Sequence, residues 1–343
     1  MKKLLNTLYV TSSDRYLSLD GENIVILDGK TEIGRVPLHN LEAVVTFGFT
    51  GASPALMGAC AKRNITLCFM SPYGEFLARV TGTVKGNVIL RKEQYRLSES
   101  DNKSVMIARN FIVGKLFNAR WVVERVTRDN AMRIDVERFK QSSQNIQRAL
   151  ENAAVCESLD SLRGIEGEAS RTYFALFNEM ILQQKEAFHF DVRNKRPPLD
   201  PVNALLSFMY TLLSSMCASA LETAGLDPYV GYLHRDRPGR ISLALDLMEE
   251  FRSVLADRFV LTLINKRIVT LDGFKQSENG AIVMDDETRK KVLSAWQARK
   301  QETLVHPFLG EKVEWGMVPY AQAMLLARFI RGDLDAYPPF MWK

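Results

Sequence analysis

The chain has 343 residues, 46% of them hydrophobic and 25% charged, with a net charge of +5 at neutral pH. That length and composition exclude a disordered or fibrous chain and suit two domains with a substantial core. The mild basic excess permits a polyanionic partner without demanding one.

The N-terminal stretch MKKLLNTLYV has too short an apolar run for a signal peptide. No stretch reads as the about 18 apolar residues of a membrane span, so a cytoplasmic protein without a membrane partner is expected. The cysteines Cys60, Cys68, Cys156 and Cys217 are scattered with no C-x-x-C pair. That suits a reducing compartment and argues against structural zinc.

Residues 1–95 read as strands. TLYV, RYLSL, NIVIL, EIGRVPL, AVVTF, ITLCFM and FLARVTG are short, rich in Val, Ile, Leu, Thr and Phe, and separated by turn residues. Asp20-Gly21 and Asp28-Gly29 are hairpin signals, because glycine tolerates positive φ. One helix interrupts, with Ser53 as N-cap and Pro54 at its first position. No acid–histidine constellation occurs in this half. A structural or assembly role follows, with exposed strand edges able to pair with a second copy.

Residues 96–343 turn helical, which makes the fold class α+β: a β-rich N-terminal domain followed by a larger all-α domain. Between residues 103 and 148, ten Lys or Arg stand against four Asp or Glu. The recurring Arg109, Lys115, Arg120, Arg125 and Arg128 suit a solvated helix face and a phosphate-binding stripe equally well.

In RGIEGEASRTYFALF, residues 163–177, Glu166 sits between Gly164 and Gly167 at the head of an apparent helix. The helix dipole alone explains a carboxylate there, yet the small residues around it leave room for a ligand. Glu168, two residues on, faces elsewhere. Asp200 and Pro201 begin a further helix that ends at Gly225, along which Asn203, Ser207, Tyr210 and Ser214 form a polar stripe. That stripe is either a structural hydrogen-bond network or one wall of a polar site.

The loop GLDPYVGYLHRDRPGR then leads into ISLALDLMEEFR. Asp246 and Glu249 are three residues apart on this helix, so both carboxylates can point at one spot. A solvated acidic face is the plain alternative. The turn-rich loop can bring His234 to that face, with Arg235, Arg237 and Arg240 on the side of a prospective phosphate. Two more helices and the aromatic tail YPPFMWK follow. No G-x-x-x-x-G-K loop and no G-x-S-x-G elbow is present, so P-loop and serine-hydrolase chemistry lack support. Glu166, His234 and Glu249, with Asp246 adjacent, make an oxygen-rich set with one imidazole. It suits Mg²⁺ with Mn²⁺ tolerated.

GIEGEASRTYF, LDPVNALLSFMYTLL and LHRDRPGRISLALDLMEEFR, in this order behind a β-rich first half, resemble the core CRISPR-associated integrase, the DNA endonuclease of spacer acquisition. The resemblance covers essentially the whole chain, and the ending from His306 resembles the type I-C branch. It implies Glu166, His234 and Glu249 as divalent-metal ligands and Asp246 as an additional acid on the same helix. Many members carry aspartate where this chain has Glu249, so Glu250 is the competing position; the helical phase favours Glu249. The implied reaction inserts foreign DNA as new spacers, by attack of a 3′-OH on a phosphodiester of the CRISPR array. The implied partners are double-stranded DNA (spacer precursor and leader-repeat), a second copy of the chain in a homodimer, and a small ferredoxin-like protein. Two other readings remain: a structure-selective DNA nuclease outside CRISPR, and a non-catalytic DNA-binding scaffold.

Overall fold

The structure, a computed structural model, describes residues 7–72, 76–80, 82, 88–195 and 197–343. The chain divides into two compact units. One comprises Met1–Lys85, Asp272–Gln276 and Val283–Glu302, the other Gly86–Leu271, Ser277–Ile282 and Thr303–Lys343.

Among the described residues the first unit carries a four-stranded and a three-stranded sheet. Strands β1 (Thr7–Val10), β5 (Ala43–Phe47), β6 (Thr66–Met70) and β7 (Phe76–Val80) lie in the order β1-β5-β6-β7. The first three run parallel and β7 is antiparallel. Strands β2 (Arg15–Asp20), β3 (Asn23–Asp28) and β4 (Thr31–Pro37) form an antiparallel meander. Both Asp-Gly signals are hairpins, with Gly21 and Gly29 in the first loop position at φ +56° and +59°. Helix α1 (Pro54–Arg63) makes the crossover between the parallel strands β5 and β6. Ser53 Oγ caps it, accepting from the Leu56 amide at 3.2 Å. Leu17, Ile24, Leu38, Val44, Leu56 and Leu67 form the core beneath.

The second unit is mostly helical and not all-α: beside helices α2 (Val88–Ser98), α3 (Asp101–Asp129), α4 (Val136–Ala154), α5 (Leu159–Ala175), the short α6 (Phe177–Met180), α7 (Pro201–Ala224), α8 (Ser242–Glu249) and α9 (Arg258–Asn265) it holds an antiparallel two-stranded ribbon, Thr303–Val305 with Lys312–Glu314. A π-helical stretch, Arg252–Asp257, joins α8 to α9. Helix α10 (Asp286–Gln301) lies in the first unit, and α11 (Val318–Ile330) closes the second. Helix α3 packs against α4, α5 and α8, while α7 packs against α8 and α11.

The division therefore differs from one at residue 95. Helix α2 belongs to the helical unit, and α10 returns to the strand-rich one. Arg289, buried on α10, donates to the Pro72 carbonyl and, at 3.1 Å, to that of Thr11. Lys300 donates to Thr7 Oγ1 at 2.8 Å. An amphipathic pattern shows that a helix has a face to bury, not where that face goes.

Helix α7 starts and stops as its residues direct. Asp200 Oδ1 accepts from the Asn203 amide at 2.8 Å, and Gly225 takes φ +86° at the C-cap. By length and composition it is apolar enough to cross a membrane, which corrects the expectation that no stretch is. Its Leu205, Leu206, Met209 and Leu213 are buried inside the second unit, as in a core helix.

Candidate functional site

Glu166 lies in the middle of α5, not at its head, because the helix already begins at Leu159 behind the cap Ser158. The dipole explanation for its position is thereby lost. An added Cβ at Gly164 or Gly167 would meet nothing within 4 Å, so these two glycines border open space on α5. Glu166 Oε1 accepts from Ser170 Oγ at 2.8 Å and from Lys115 Nζ.

Lys115 projects from α3 and is 9% exposed. Its ammonium also reaches Glu249 Oε2 at 2.7 Å. Two carboxylates from α5 and α8 thus converge on one cation. Arg252 Nη1 also donates to both oxygens of Glu249, at 2.9 and 3.0 Å. Burial pushes the Glu249 carboxyl up, but Arg252, Lys115 and His234 outweigh it and hold it well below the usual carboxylate range.

Asp246 and Glu249 do not meet at one spot. Asp246 is fully buried and its oxygens are taken by the loop ahead of the helix. Oδ2 accepts from the Tyr232 and Leu233 amides at 2.7 and 2.9 Å. Oδ1 accepts from the His234 amide at 3.0 Å and from His234 Nδ1 at 2.6 Å. With Nδ1 donating, the lone pair of the neutral ring sits on Nε2, the arrangement of a histidine ligand backed by a carboxylate. Asp246 therefore positions His234 instead of facing the site itself. Gly231 makes this close approach possible, since a Cβ there would lie 2.8 Å from Ser242 Cβ and 3.0 Å from Asp246 Oδ2. Arg163 ties the same loop to α5, donating to the Leu233 carbonyl at 3.0 and 2.7 Å.

The solvated acidic face is absent: Ser242, Asp246, Glu249 and Glu250 are all buried. Glu250 points away from Glu166, into the C-terminal tail. It accepts from Tyr337 Oη at 2.6 Å, Gln322 Nε2 at 2.9 Å and the Phe340 amide at 3.0 Å. Burial pushes its carboxyl up to about 8 against these three donors.

The polar stripe of α7 backs the site from behind. Asn203 and Ser207 accept from Arg193 at 2.7 and 2.9 Å, and Tyr210 donates to Asp257 at 2.5 Å. Arg252 stacks on the Tyr210 ring, 4.6 Å from its centre. The stripe is thus a hydrogen-bond network that reaches Glu249 through Arg252.

Of the three arginines expected to face phosphate, Arg235 and Arg237 are exposed and Arg240 is half-buried. Arg235 lies 3.2 Å from Asp160. A polar cleft lined by Ser98, Asp101, Asp160, Arg163, His234 and Arg235 opens beside them. Along the basic helix, Arg120 and Arg125 pair with Glu124 and Asp129 one turn on. Lys115 turns into the site.

Among the described residues no three His, Cys, Asp or Glu donors stand ready-made at metal-holding spacing. The donor types nevertheless fit a divalent cation. Glu166 and Glu249 already share one positive charge, and Nε2 of an oriented imidazole supplies the third donor.

Comparison with known proteins adds an independent observation. The family model described as "CRISPR associated protein Cas1" matches residues 8–298. A CRISPR-associated endonuclease Cas1 of Rhodospirillum rubrum is 51% identical over 348 aligned residues, covering 100% of each chain. Among solved structures, a casposase bound to integration product aligns with a TM-score of 0.84 at 21% identity, over 98% of this chain and 94% of that one. A Cas6-RT-Cas1–Cas2 complex aligns with a TM-score of 0.82 at 24% identity, over 98% of this chain and 36% of that one.

Proposed function

Since the chain belongs to the Cas1 family of CRISPR-associated proteins, we propose that it is a metal-dependent DNA endonuclease and integrase of spacer acquisition, with Glu166, His234 and Glu249 as its ligand set. The observation that carries the site assignment is the convergence of Glu166 and Glu249 on one cation, beside a histidine whose ring a buried aspartate holds in place.

Each side chain then has a task. Glu166 and Glu249 offer carboxylate oxygens from two helices, and His234 offers Nε2. Asp246 sets the ring of His234 and anchors its loop. A bound Mg²⁺ or Mn²⁺ supplies Lewis-acid activation of a phosphodiester and of the attacking 3′-OH. Arg252 keeps Glu249 ionised. Arg235, Arg237 and Arg240 meet the DNA backbone, which fixes register without reading sequence. The single imidazole is what makes Mn²⁺ a usable alternative to Mg²⁺.

The substrate in this reading is double-stranded DNA, both as spacer precursor and as the leader-repeat of an array, and the protein works in the cytoplasm. The partners are a second copy of the chain, joined through the strand-rich unit in a homodimer, and the small ferredoxin-like second protein of adaptation. The neighbour that carries Cas1 in complex with Cas2 supports the latter.

A joining assay tests the function. Labelled duplex donor with free 3′-OH ends is incubated with a leader-repeat duplex and Mn²⁺ or Mg²⁺, with and without EDTA. The expected result is a joined product that EDTA abolishes. Cleavage without joining points to a nuclease outside CRISPR, and DNA binding without any strand breakage points to a scaffold; either outcome overturns the integrase reading.

A further inference from the structure

Lys115 has no place in the ligand set, yet it is bonded to two of its members. A lysine whose side chain is 9% exposed, bonded to both Glu166 and Glu249, stands where those two carboxylates would hold a divalent cation. Resting on the reading that these carboxylates are ligands, we propose that Lys115 is a stand-in cation: it holds Glu166 and Glu249 together in the metal-free protein, competes with the divalent cation for them, and is released to a DNA phosphate, so that cation and DNA each favour the binding of the other.

The charges require such an exchange. Glu166 and Glu249 carry two negative charges, and Lys115 and Arg252 balance them. A divalent cation added to this neutral quartet would leave an excess of two positive charges within a few ångströms, a strongly repulsive arrangement in a poorly solvated pocket. Arg252 is fixed, because it spans both oxygens of Glu249 and stacks on Tyr210. Lys115 is the mobile partner, with its ammonium at the end of a flexible four-carbon stem. A pocket of about 20 Å³ lined by Ala119, Ala169, Ser170, Tyr173 and Ser253 lies beside that stem. An incoming phosphodiester supplies the negative charge that the ammonium loses on leaving the carboxylates. Coupling of this kind is reciprocal, so DNA tightens cation binding by the same factor as the cation tightens DNA binding.

The test measures Mn²⁺ affinity from the electron paramagnetic resonance signal of free Mn²⁺. It uses the full chain alone, or with a DNA duplex whose 3′ ends are dideoxy and cannot react. Wild type is expected to bind Mn²⁺ weakly alone and at least about tenfold more tightly with DNA, a coupling of ordinary size. Lys115→Met is expected to bind at least about tenfold more tightly than wild type without DNA, and to gain little when DNA is added. Lys115→Gln, which keeps a hydrogen bond to one carboxylate without the charge, replaces Lys115→Met if the latter fails to fold. Equal or weaker affinity than wild type in the folded variant overturns the competition, and an undiminished gain from DNA overturns the release to phosphate. Glu166→Ala separates this proposal from the site reading beneath it. If that substitution leaves Mn²⁺ affinity unchanged, the ligand assignment itself fails; if it abolishes binding while Lys115 variants behave as wild type, only the stand-in role fails.

Discussion

Glu166→Ala and Glu249→Ala are each expected to lower strand transfer by about 10³-fold or more, the scale of losing a principal electrostatic element of a phosphoryl-transfer site. The two residues come from α5 and α8 and are joined through Lys115, to which both are bonded. Removing either leaves the other without its counterpart in the proposed ligand set and leaves Lys115 half-partnered. Glu250→Gln is the matching control. It alters the neighbouring carboxylate on the same helix turn but touches neither Lys115 nor Arg252, since Glu250 faces Tyr337, Gln322 and Phe340. Its strand transfer should stay within about tenfold of wild type, the lower bound for a supporting residue. Single-turnover joining with saturating Mn²⁺ reads all three. A loss at Glu250 as deep as at Glu249 would mean that the two acids had been assigned the wrong way round.

The second large effect is on stability, and Glu250 carries it. Its carboxyl group is the common acceptor for three groups that pin the C-terminal tail: Tyr337 Oη, Gln322 Nε2 and the Phe340 amide. Asn118 completes the clasp by donating to the Glu250 and Phe340 carbonyls, each at 2.7 Å, and by accepting from the Trp342 amide at 2.8 Å. Gly114 leaves the necessary space, since a Cβ there would sit 3.2 Å from both Glu250 Cγ and Pro339 Cβ. Glu250→Ala strands the donors and opens a hole, at a cost of roughly 3–4 kcal/mol in urea denaturation.

The same carboxyl sets a pH dependence. Its folded pKa of about 8 lies above the ordinary 4.5, so the folded state binds the proton more tightly than the unfolded one. Its contribution is fully present below pH 4.5 and is lost as pH rises towards 8, at up to about 1.4 kcal/mol per pH unit. Above pH 8 it no longer changes. Asp257, pushed up to about 6 by burial against Arg252 and Tyr210, adds a fall of the same sign at lower pH. Denaturation across pH 5.5–8.5 in wild type and Glu250→Gln isolates the Glu250 part. A slope that is equal in the two proteins would show that Glu250 is not protonated in this window.

What the sequence disclosed, and what it hid, follows from the range of each interaction. Local signals were readable: the seven strands, Gly21 and Gly29 in their hairpins, and the caps at Ser53, Asp200 and Gly225 depend on neighbours a few residues away. The glycines near Glu166 read as a helix boundary, while the actual cap of α5, Ser158, lies well upstream. Asp246 and Glu249 were visible as an i, i+3 pair, but spacing alone does not show that one turns to the His234 loop and the other to Lys115. Arg252 left a faint trace, three residues after Glu249. Lys115 left another, as a lysine on an apolar helix face, hidden among basic neighbours that pair outward with acids one turn on. The role of Glu250 had no local trace, because its partners lie about 70 to 90 residues downstream and only tertiary packing brings them together.

The ligand set is tested most directly by locating the cation. In crystals of the full chain grown with Mn²⁺ and a duplex with blocked 3′ ends, anomalous scattering marks the ion independently of any assay. The prediction is a peak about 2.2 Å from a carboxylate oxygen of Glu166, a carboxylate oxygen of Glu249 and Nε2 of His234, with the Lys115 ammonium displaced from between the carboxylates. A peak at Glu250 or Glu168, or one that leaves Lys115 bridging Glu166 and Glu249, would contradict it.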